Sequence, residues 1–305
     1  MENKNNLFDN YMNIARNCRQ ENNPLKALKF YKKAYGLPNG KSDEDLLIDM
    51  ALLYDELGFK DYAEEKYTEV LKLNKNNSSA YYGLAVIYDE SEQYEKAMEF
   101  YKKSIEIDSN YDKAYFFLAN ILDELGEKDK AIENYKCVIK INHNDLWAYA
   151  NIGCILEEQD KNEEALKYLR KALDIDRNQF RVLFNMGVVL NKLGNVESAR
   201  EYYEKSIKNN HFYPYSYLNY AVTYKEEGDF KRAAEILSEG IDYNDEEGFL
   251  YYNRACCLCN LKKYDEALDD VLKSVECNNF FEGYSKEDIE LKDICLLYTS
   301  DAADD

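Results

Sequence analysis

Residues 78–111 read SSAYYGLAVIYDESEQYEKAMEFYKKSIEIDSNY, and residues 112–145 read DKAYFFLANILDELGEKDKAIENYKCVIKINHND. The two stretches have the same length and match position by position. Ala85 and Ala97 in the first stand where Ala119 and Ala131 stand in the second. Each stretch carries two apolar stripes at helical spacing, separated by a short polar turn. In the first, one stripe is Tyr81, Leu84, Ala85 and Tyr88, and the other is Ala97, Met98, Tyr101 and Ile105.

The same frame extends in both directions. Ala63, Ala97, Ala131, Ala165, Ala199, Ala233 and Ala267 recur every 34 residues, and Ala27 precedes them by 36, with Pro38, Asn39 and Gly40 in the longer link. Twelve residues before each alanine is a second small residue: Ala15, Ala51, Ala85, Ala119, Gly153, Gly187, Ala221 or Ala255. Small side chains on both helices let the backbones approach, and larger ones beside them fill the gaps. The turns carry matching chemistry. Gly58, Gly126, Gly194 and Gly228 are placed to end their first helix in the left-handed conformation. Asp61, Glu95, Asp129, Glu163, Glu197 and Asp265 open the second helix, where carboxylates suit the helix dipole. Asn77-Ser78 and Asn144-Asp145 supply N-caps between repeats.

In this pattern the chain resembles the tetratricopeptide repeat family over residues 8–281, as eight hairpins at 8–41, 44–77, 78–111, 112–145, 146–179, 180–213, 214–247 and 248–281. One such match is a weak signal, and eight in register are specific. The family's proline near the end of the second helix is missing from all eight, where Asn39, Lys75, Ser109, His143, Arg177, His211, Asp245 and Asn279 stand, and its early tryptophan is usually Tyr, as in Tyr81 and Tyr115. The resemblance implies an all-α solenoid wound as a right-handed superhelix, with the first helix of each hairpin, helix A, on the concave wall. Energetics agree that stacking is required. Ordering one repeat costs on the order of 50 kcal/mol of conformational entropy, more than a lone hairpin recovers.

Composition narrows the function. A formal charge of −20 in 305 residues argues against nucleic acid and anionic membranes as partners, because both select clustered cations. No run approaches membrane-spanning length, and the polar N-terminus does not read as a signal peptide, so the expected location is cytoplasmic and the cysteines are expected to be thiols. Residues 295–305, CLLYTSDAADD, resemble a translated sequencing adapter, which would place the cut near Ile294 and leave 282–294 as a capping helix or a truncated ninth repeat.

Three columns on helix A are candidates for binding. At the sixth position, Asn151, Asn185, Asn219 and Asn253 form an unbroken run. An Asn amide both donates and accepts, so such a ladder can pair with the N–H and C=O of an extended peptide. It resembles the asparagine ladder in the repeat half of O-linked N-acetylglucosamine transferases. Asn is also common there in the family at large, and both readings stand. Near the end of helix A, Asp55-Glu56, Asp89-Glu90, Asp123-Glu124 and Glu157-Glu158 recur at the repeat period. Carboxylates at a helix C-terminus are unfavourable locally, so helix energetics do not explain them. They read either as a strip that attracts Lys/Arg-rich peptides or as a solvated edge offset by Lys60, Lys128 and Lys161. Among the helix A aromatics, Trp147 and Tyr215 are expected to face the groove, and Tyr82, Phe116, Phe184, Phe249 and Tyr252 to pack against neighbours.

No catalytic, cofactor or metal site is expected. His143 and His211, the only histidines, fall in turns at one repeat offset, and phosphate loops and nucleophile elbows are missing. Cys256 and Cys259 form one C-x-x-C with no second pair, so they read as small apolar filling. A clamp for an acidic chaperone tail would need lysine at the fifth position of helix A, where Met12, Ile48, Tyr82, Phe116, Ala150, Phe184, Leu218 and Tyr252 stand. The expectation is therefore a non-catalytic scaffold for a protein or peptide. The alternative is the targeting half of a larger enzyme, such as an O-linked N-acetylglucosamine transferase-like protein, with its catalytic domain beyond the cut.

Overall fold

The computed structural model describes residues 2–291 and Ile294. Residues 295–305, and the adapter reading made of them, lie outside the described residues.

Among the described residues, sixteen α-helices pair in chain order into eight hairpins. These are α1 (Glu2–Gln20) with α2 (Pro24–Tyr35), α3 (Glu44–Glu56) with α4 (Lys60–Leu73), α5 (Ser78–Asp89) with α6 (Tyr94–Ile107), and α7 (Asp112–Glu124) with α8 (Lys128–Ile141). Then come α9 (Leu146–Glu158) with α10 (Asn162–Ile175), α11 (Phe180–Lys192) with α12 (Val196–Asn209), α13 (Pro214–Glu226) with α14 (Phe230–Tyr243), and α15 (Gly248–Asn260) with α16 (Tyr264–Cys277). The chain divides at His143 and Asn144 into two compact bodies. The N-terminal body holds the first four hairpins and the C-terminal body the last four. Each is an α-solenoid stack in which every second helix packs on the first helix of the next hairpin. Helices A also touch one another, α3 with α5 in the N-terminal body and α9, α11, α13 and α15 in succession in the C-terminal body.

The small residues do what their spacing implies. Ala15, Ala27, Ala51, Ala63, Ala85 and Ala97 are fully buried. Gly187 is small because the Tyr203 ring lies against its backbone: an added Cβ would meet Tyr203 Cε1 at 2.5 Å. Leu169 stands over Gly153 in the same way, at 2.7 Å.

Every hairpin turn has one residue in the left-handed region. Four are the expected glycines, with φ between +77° and +82°. The other four are Asn22, Glu92, Asp160 and Lys262, at φ of 56° to 60°. Two backbone bonds close each turn, as where Phe59 N–H donates to Tyr54 O and Gly58 N–H to Asp55 O, both at 2.8 Å. Gln93 to Tyr88 and Lys263 to Leu258, each 2.9 Å, repeat the first bond around non-glycine residues. At the other end of helix A, Asp43, Asn77 and Asp145 cap through side-chain oxygens that accept from Leu46, Ala80 and Ala148 N–H.

Beyond α16, helix α17 runs over Phe280–Glu287, and Asp288 is extended. A 3-10 turn, Ile289–Leu291, then folds back on α15, where Leu291 and Ile294 bury against a cluster that includes Tyr252, Cys256 and Leu258. Over the described residues this segment is a helix, an extended residue and a 3-10 turn, and it covers the apolar end of the last hairpin.

Two buried cations tie hairpins together, and neither stands out in the sequence. Arg200 on α12 donates to Thr223 Oγ1 at 3.0 Å, Thr223 O at 2.9 Å and Glu227 at 2.6 Å, all on the next hairpin, with its guanidinium 3.8 Å from the Tyr224 ring centroid. In the N-terminal body Lys66 on α4 donates to Glu69 at 2.7 Å, Glu65 at 2.9 Å and the Tyr35 hydroxyl of the preceding hairpin at 3.3 Å.

Candidate peptide-binding site

The sixth position of helix A behaves differently in the two bodies. In the N-terminal body it receives the tyrosine that the preceding second helix sends across the hairpin junction. Tyr31 donates its hydroxyl to Asp49 at 3.2 Å, the Tyr67 ring fills the space over Gly83, and Tyr101 stacks on Phe117 with centroids 6.3 Å apart. In the C-terminal body the position is Asn in all four hairpins. The four asparagines are half-buried. Asn185 donates to Cys154 Sγ of the preceding helix A at 2.9 Å. Asn219 and Asn253 donate to the carbonyls of Tyr215 and Phe249 in their own helices, at 3.0 and 2.8 Å. Each of these three amides is thus held by one hydrogen bond, while its carbonyl oxygen and second N–H leave further pairing capacity.

The acidic column is only partly uncompensated. Asp123 pairs with Lys128 at 2.7 Å, and Glu157 with Lys192 at 2.5 Å. Their neighbours are engaged as well: Glu56 with Arg19, Glu90 with Lys60 at 2.9 Å, and Glu124 with the Tyr94 hydroxyl at 2.9 Å. Lys161 bonds Gln159, at 2.8 Å. Asp55 and Asp89 differ from the rest. Asp89 accepts the Tyr101 hydroxyl at 3.0 Å, and one Asp55 oxygen is buried without a partner. Burial pushes both carboxyls above the usual range; Glu90 adds to the shift at Asp55 while Lys60 opposes it, and at Asp89 the Tyr101 hydrogen bond opposes it while Glu124 and Glu90 add to it.

Of the aromatics, Trp147 is 41% exposed and Tyr215 49%. Tyr82, Phe116 and Phe184 pack against rings of their own bodies: Tyr82 on Tyr111 at 5.0 Å, Phe116 on Tyr135 at 5.5 Å and Phe184 on Tyr213 at 5.3 Å between centroids.

Cys256, Cys257 and Cys259 are buried in α15, and burial raises the Cys256 and Cys257 thiols, the latter to about 11, so thiolate is disfavoured. Folding brings Asp288 and Glu290 near Cys256, a grouping the sequence did not suggest. Both carboxylates are engaged, Asp288 by the Tyr252 hydroxyl and Glu290 by Lys225 at 2.6 Å. His211 Nδ1 lies 3.1 Å from the Tyr217 hydroxyl, and His143 Nδ1 lies 2.7 Å from Ile139 O.

A stack of helical hairpins with periodic columns on one helix face defines a repeat scaffold for protein interactions. Family profiles described as tetratricopeptide repeat match residues 78–111, 112–145, 148–179, 180–210 and 214–247, together more than half of the chain. The chain belongs to the tetratricopeptide repeat family. A Sel1 repeat profile matches residues 17–38, which span the first hairpin turn. No curated protein matches the sequence. Among solved structures, the chain resembles a tetratricopeptide repeat protein from Parabacteroides merdae ATCC 43184, with a TM-score of 0.62 at 17% identity, over 82% of this chain and 97% of that one. It also resembles Pseudomonas aeruginosa pilF, with a TM-score of 0.57 at 22% identity, over 65% of this chain and 90% of that one. YrrB, a TPR protein with an unusual peptide-binding site, gives a TM-score of 0.53 at 23% identity, over 61% of this chain and 95% of that one. These likenesses show the fold. Chains built of such repeats are typically non-catalytic scaffolds. Among the described residues no helix is long and apolar enough to cross a membrane.

Proposed function

We propose that the chain is a non-catalytic scaffold that holds an extended peptide along its A helices, and that the asparagine ladder of the C-terminal body grips the peptide backbone. The observation that carries this reading is the state of Asn185, Asn219 and Asn253: half-buried, at the repeat period, and each oriented by one hydrogen bond. A pre-oriented amide loses little freedom when a peptide adds the next hydrogen bonds.

A preference for Lys/Arg-rich segments belongs to the N-terminal body and rests on Asp55 and Asp89. Asp123 and Glu157 already have cations, so a peptide cation gains little from them. Asp55 and Asp89 are partly desolvated and face like charges, offset at Asp55 only in part by Lys60, and an arriving Lys or Arg would relieve them. The described cysteines are free thiols, in keeping with a reducing, cytoplasmic setting.

The test is fluorescence polarisation with a labelled Lys/Arg-rich peptide at rising salt. Affinity is expected to fall as salt screens the contact, and to fall further in Asp89→Lys with Asp123→Lys. For the ladder the probe is an extended peptide without Lys or Arg, selected on the full chain, and Asn185→Ala with Asn219→Ala is expected to weaken its binding about tenfold at unchanged thermal midpoint. Binding indifferent to both salt and the lysine pair sinks the acidic reading. Binding and stability lost together in the alanine pair sinks the ladder.

A further inference from the structure

The C-terminal body carries a second column that the asparagine ladder leaves unused. Trp147, Arg181, Tyr215 and Phe249 stand at the second position of α9, α11, α13 and α15, at the repeat period. The ladder residues follow four positions later, so the two columns lie side by side on one face. Trp147, Arg181 and Tyr215 are exposed. Tyr215 stacks on Phe249 with centroids 5.4 Å apart and planes at 13°, and Tyr213 continues the cluster to Phe180 at 5.1 Å. The Arg181 guanidinium lies 5.7 Å from the Phe180 ring centroid.

The charge on this face runs against the rest of the chain. The protein carries −20 overall, yet the first nine residues of these four helices contain no Asp or Glu. Their only charged residues are Arg181 and Arg254. Arg254 is neutralised by Asp270 in a two-pronged pair at 2.7 and 2.6 Å. Arg181 has no carboxylate within ion-pair distance among the described residues. The same columns in the N-terminal body hold Asp9, Asp45 and Asp49, with Lys113 as their one cation. The C-terminal body also holds an acidic segment of its own chain, where Glu290 pairs with Lys225 and Asp288 accepts from Tyr252.

We propose that the helix A face of the C-terminal body binds an acidic peptide segment in which Asp or Glu is flanked by aromatic or proline residues. This rests on the reading of that face as a peptide groove. The peptide carboxylate pairs with Arg181, whose planar fork takes two oxygens at once and stacks on rings. The flanking residues lie on Trp147 and on the Tyr215–Phe249 stack. A Lys or Arg at the same place would meet a like charge and a row of helix N-termini, both unfavourable. The two bodies therefore select opposite charges.

The experiment is selection of a phage-displayed random peptide library on the full chain. The winning peptide and its Glu→Gln form are then titrated against wild type, Arg181→Glu, Arg181→Lys and Tyr215→Ala, with circular dichroism as the folding control. Arg181 and Tyr215 are exposed, so these variants should fold. Winners are expected to pair Asp or Glu with aromatic or proline neighbours. They should lose about tenfold or more in affinity with Arg181→Glu, keep part of it with Arg181→Lys, and ignore Asp89→Lys with Asp123→Lys. Failure to enrich any peptide, winners without an acid, or winners unaffected by Arg181→Glu overturn the proposal. Lys/Arg-rich winners lost with Asp89→Lys and Asp123→Lys would overturn it while leaving the basic-peptide reading intact. Acidic winners that need Arg181 but tolerate Asn185→Ala with Asn219→Ala would support it and remove the ladder.

Discussion

The two bodies use one frame for different ends, and the sixth position of helix A shows how. In the N-terminal body Asp49, Gly83 and Phe117 receive Tyr31, Tyr67 and Tyr101 from the preceding hairpins. Those positions are engaged in holding the stack together. In the C-terminal body the equivalent residues of the second helices are Leu169, Tyr203 and Leu237; Leu169 and Tyr203 stand over Gly153 and Gly187 of their own hairpins, and Asn185, Asn219 and Asn253 bond elsewhere. At two of these three places leucine stands where the N-terminal body has tyrosine, so no hydroxyl is offered there. On the proposed reading, a repeat passes this position from packing to recognition without altering its backbone.

The largest expected effect that could break this comparison lies in the buried cations. Arg200→Ala should destabilise the C-terminal body by about 3 kcal/mol, since it removes a clamp made to a buried hydroxyl, a carbonyl and a ring. Lys66→Ala, with fewer bonds to the neighbouring hairpin, should cost about 2 kcal/mol. Urea unfolding followed by circular dichroism checks both, and the reverse order would mean that the N-terminal junctions are the stronger ones. Next come the glycines under aromatic rings. Gly187→Ala sets a Cβ against Tyr203 within one hairpin, whereas Gly83→Ala sets one against Tyr67 across a hairpin junction. Each should cost about 2 kcal/mol by overpacking, and only Gly83→Ala should also loosen hydrogen-exchange protection on both sides of a junction.

Much of this was legible in the sequence, for a physical reason. Close backbone approach admits only small residues, so Ala63, Ala97 and their equivalents stand out at a fixed period. The turns were half legible. Gly58, Gly126, Gly194 and Gly228 announce a left-handed residue, but Glu92, Asp160 and Lys262 do not, because the closing hydrogen bonds around them impose the conformation. The ion pairs were least legible. Glu157 finds Lys192, a residue of the next hairpin one position out of its own column, and a charge such as Arg200 looks like surface until the neighbouring helix covers it. The acidic column consequently read as more uniform than it is.

The turns supply a smaller test. Glu92→Gly and Lys262→Gly, one in each body, should each stabilise by about 1 kcal/mol, because glycine adopts a positive φ without a Cβ penalty. A thermal scan showing a gain in only one body would mean that the other turn is held by contacts of its side chain. The smallest effect concerns pH. Burial holds Asp55 and Asp89 above the usual carboxylate range, so the folded state takes up their protons before the unfolded state does. These two groups favour folding more as pH falls from neutral through their raised values towards about 4. Asp55→Asn with Asp89→Asn should remove that increment and raise the neutral-pH midpoint by about a degree or two. An unchanged acid profile would show that the two carboxyls are well solvated.

The Arg200 clamp also bears on how the C-terminal body comes apart under load. Hairpins in such a stack touch mainly their neighbours, so tension applied along it should peel them off singly from an end. The hairpins α11–α12 and α13–α14 are fastened by one guanidinium that reaches from α12 into α13. In an optical trap they should release together, as one double-length rip in a series of single ones.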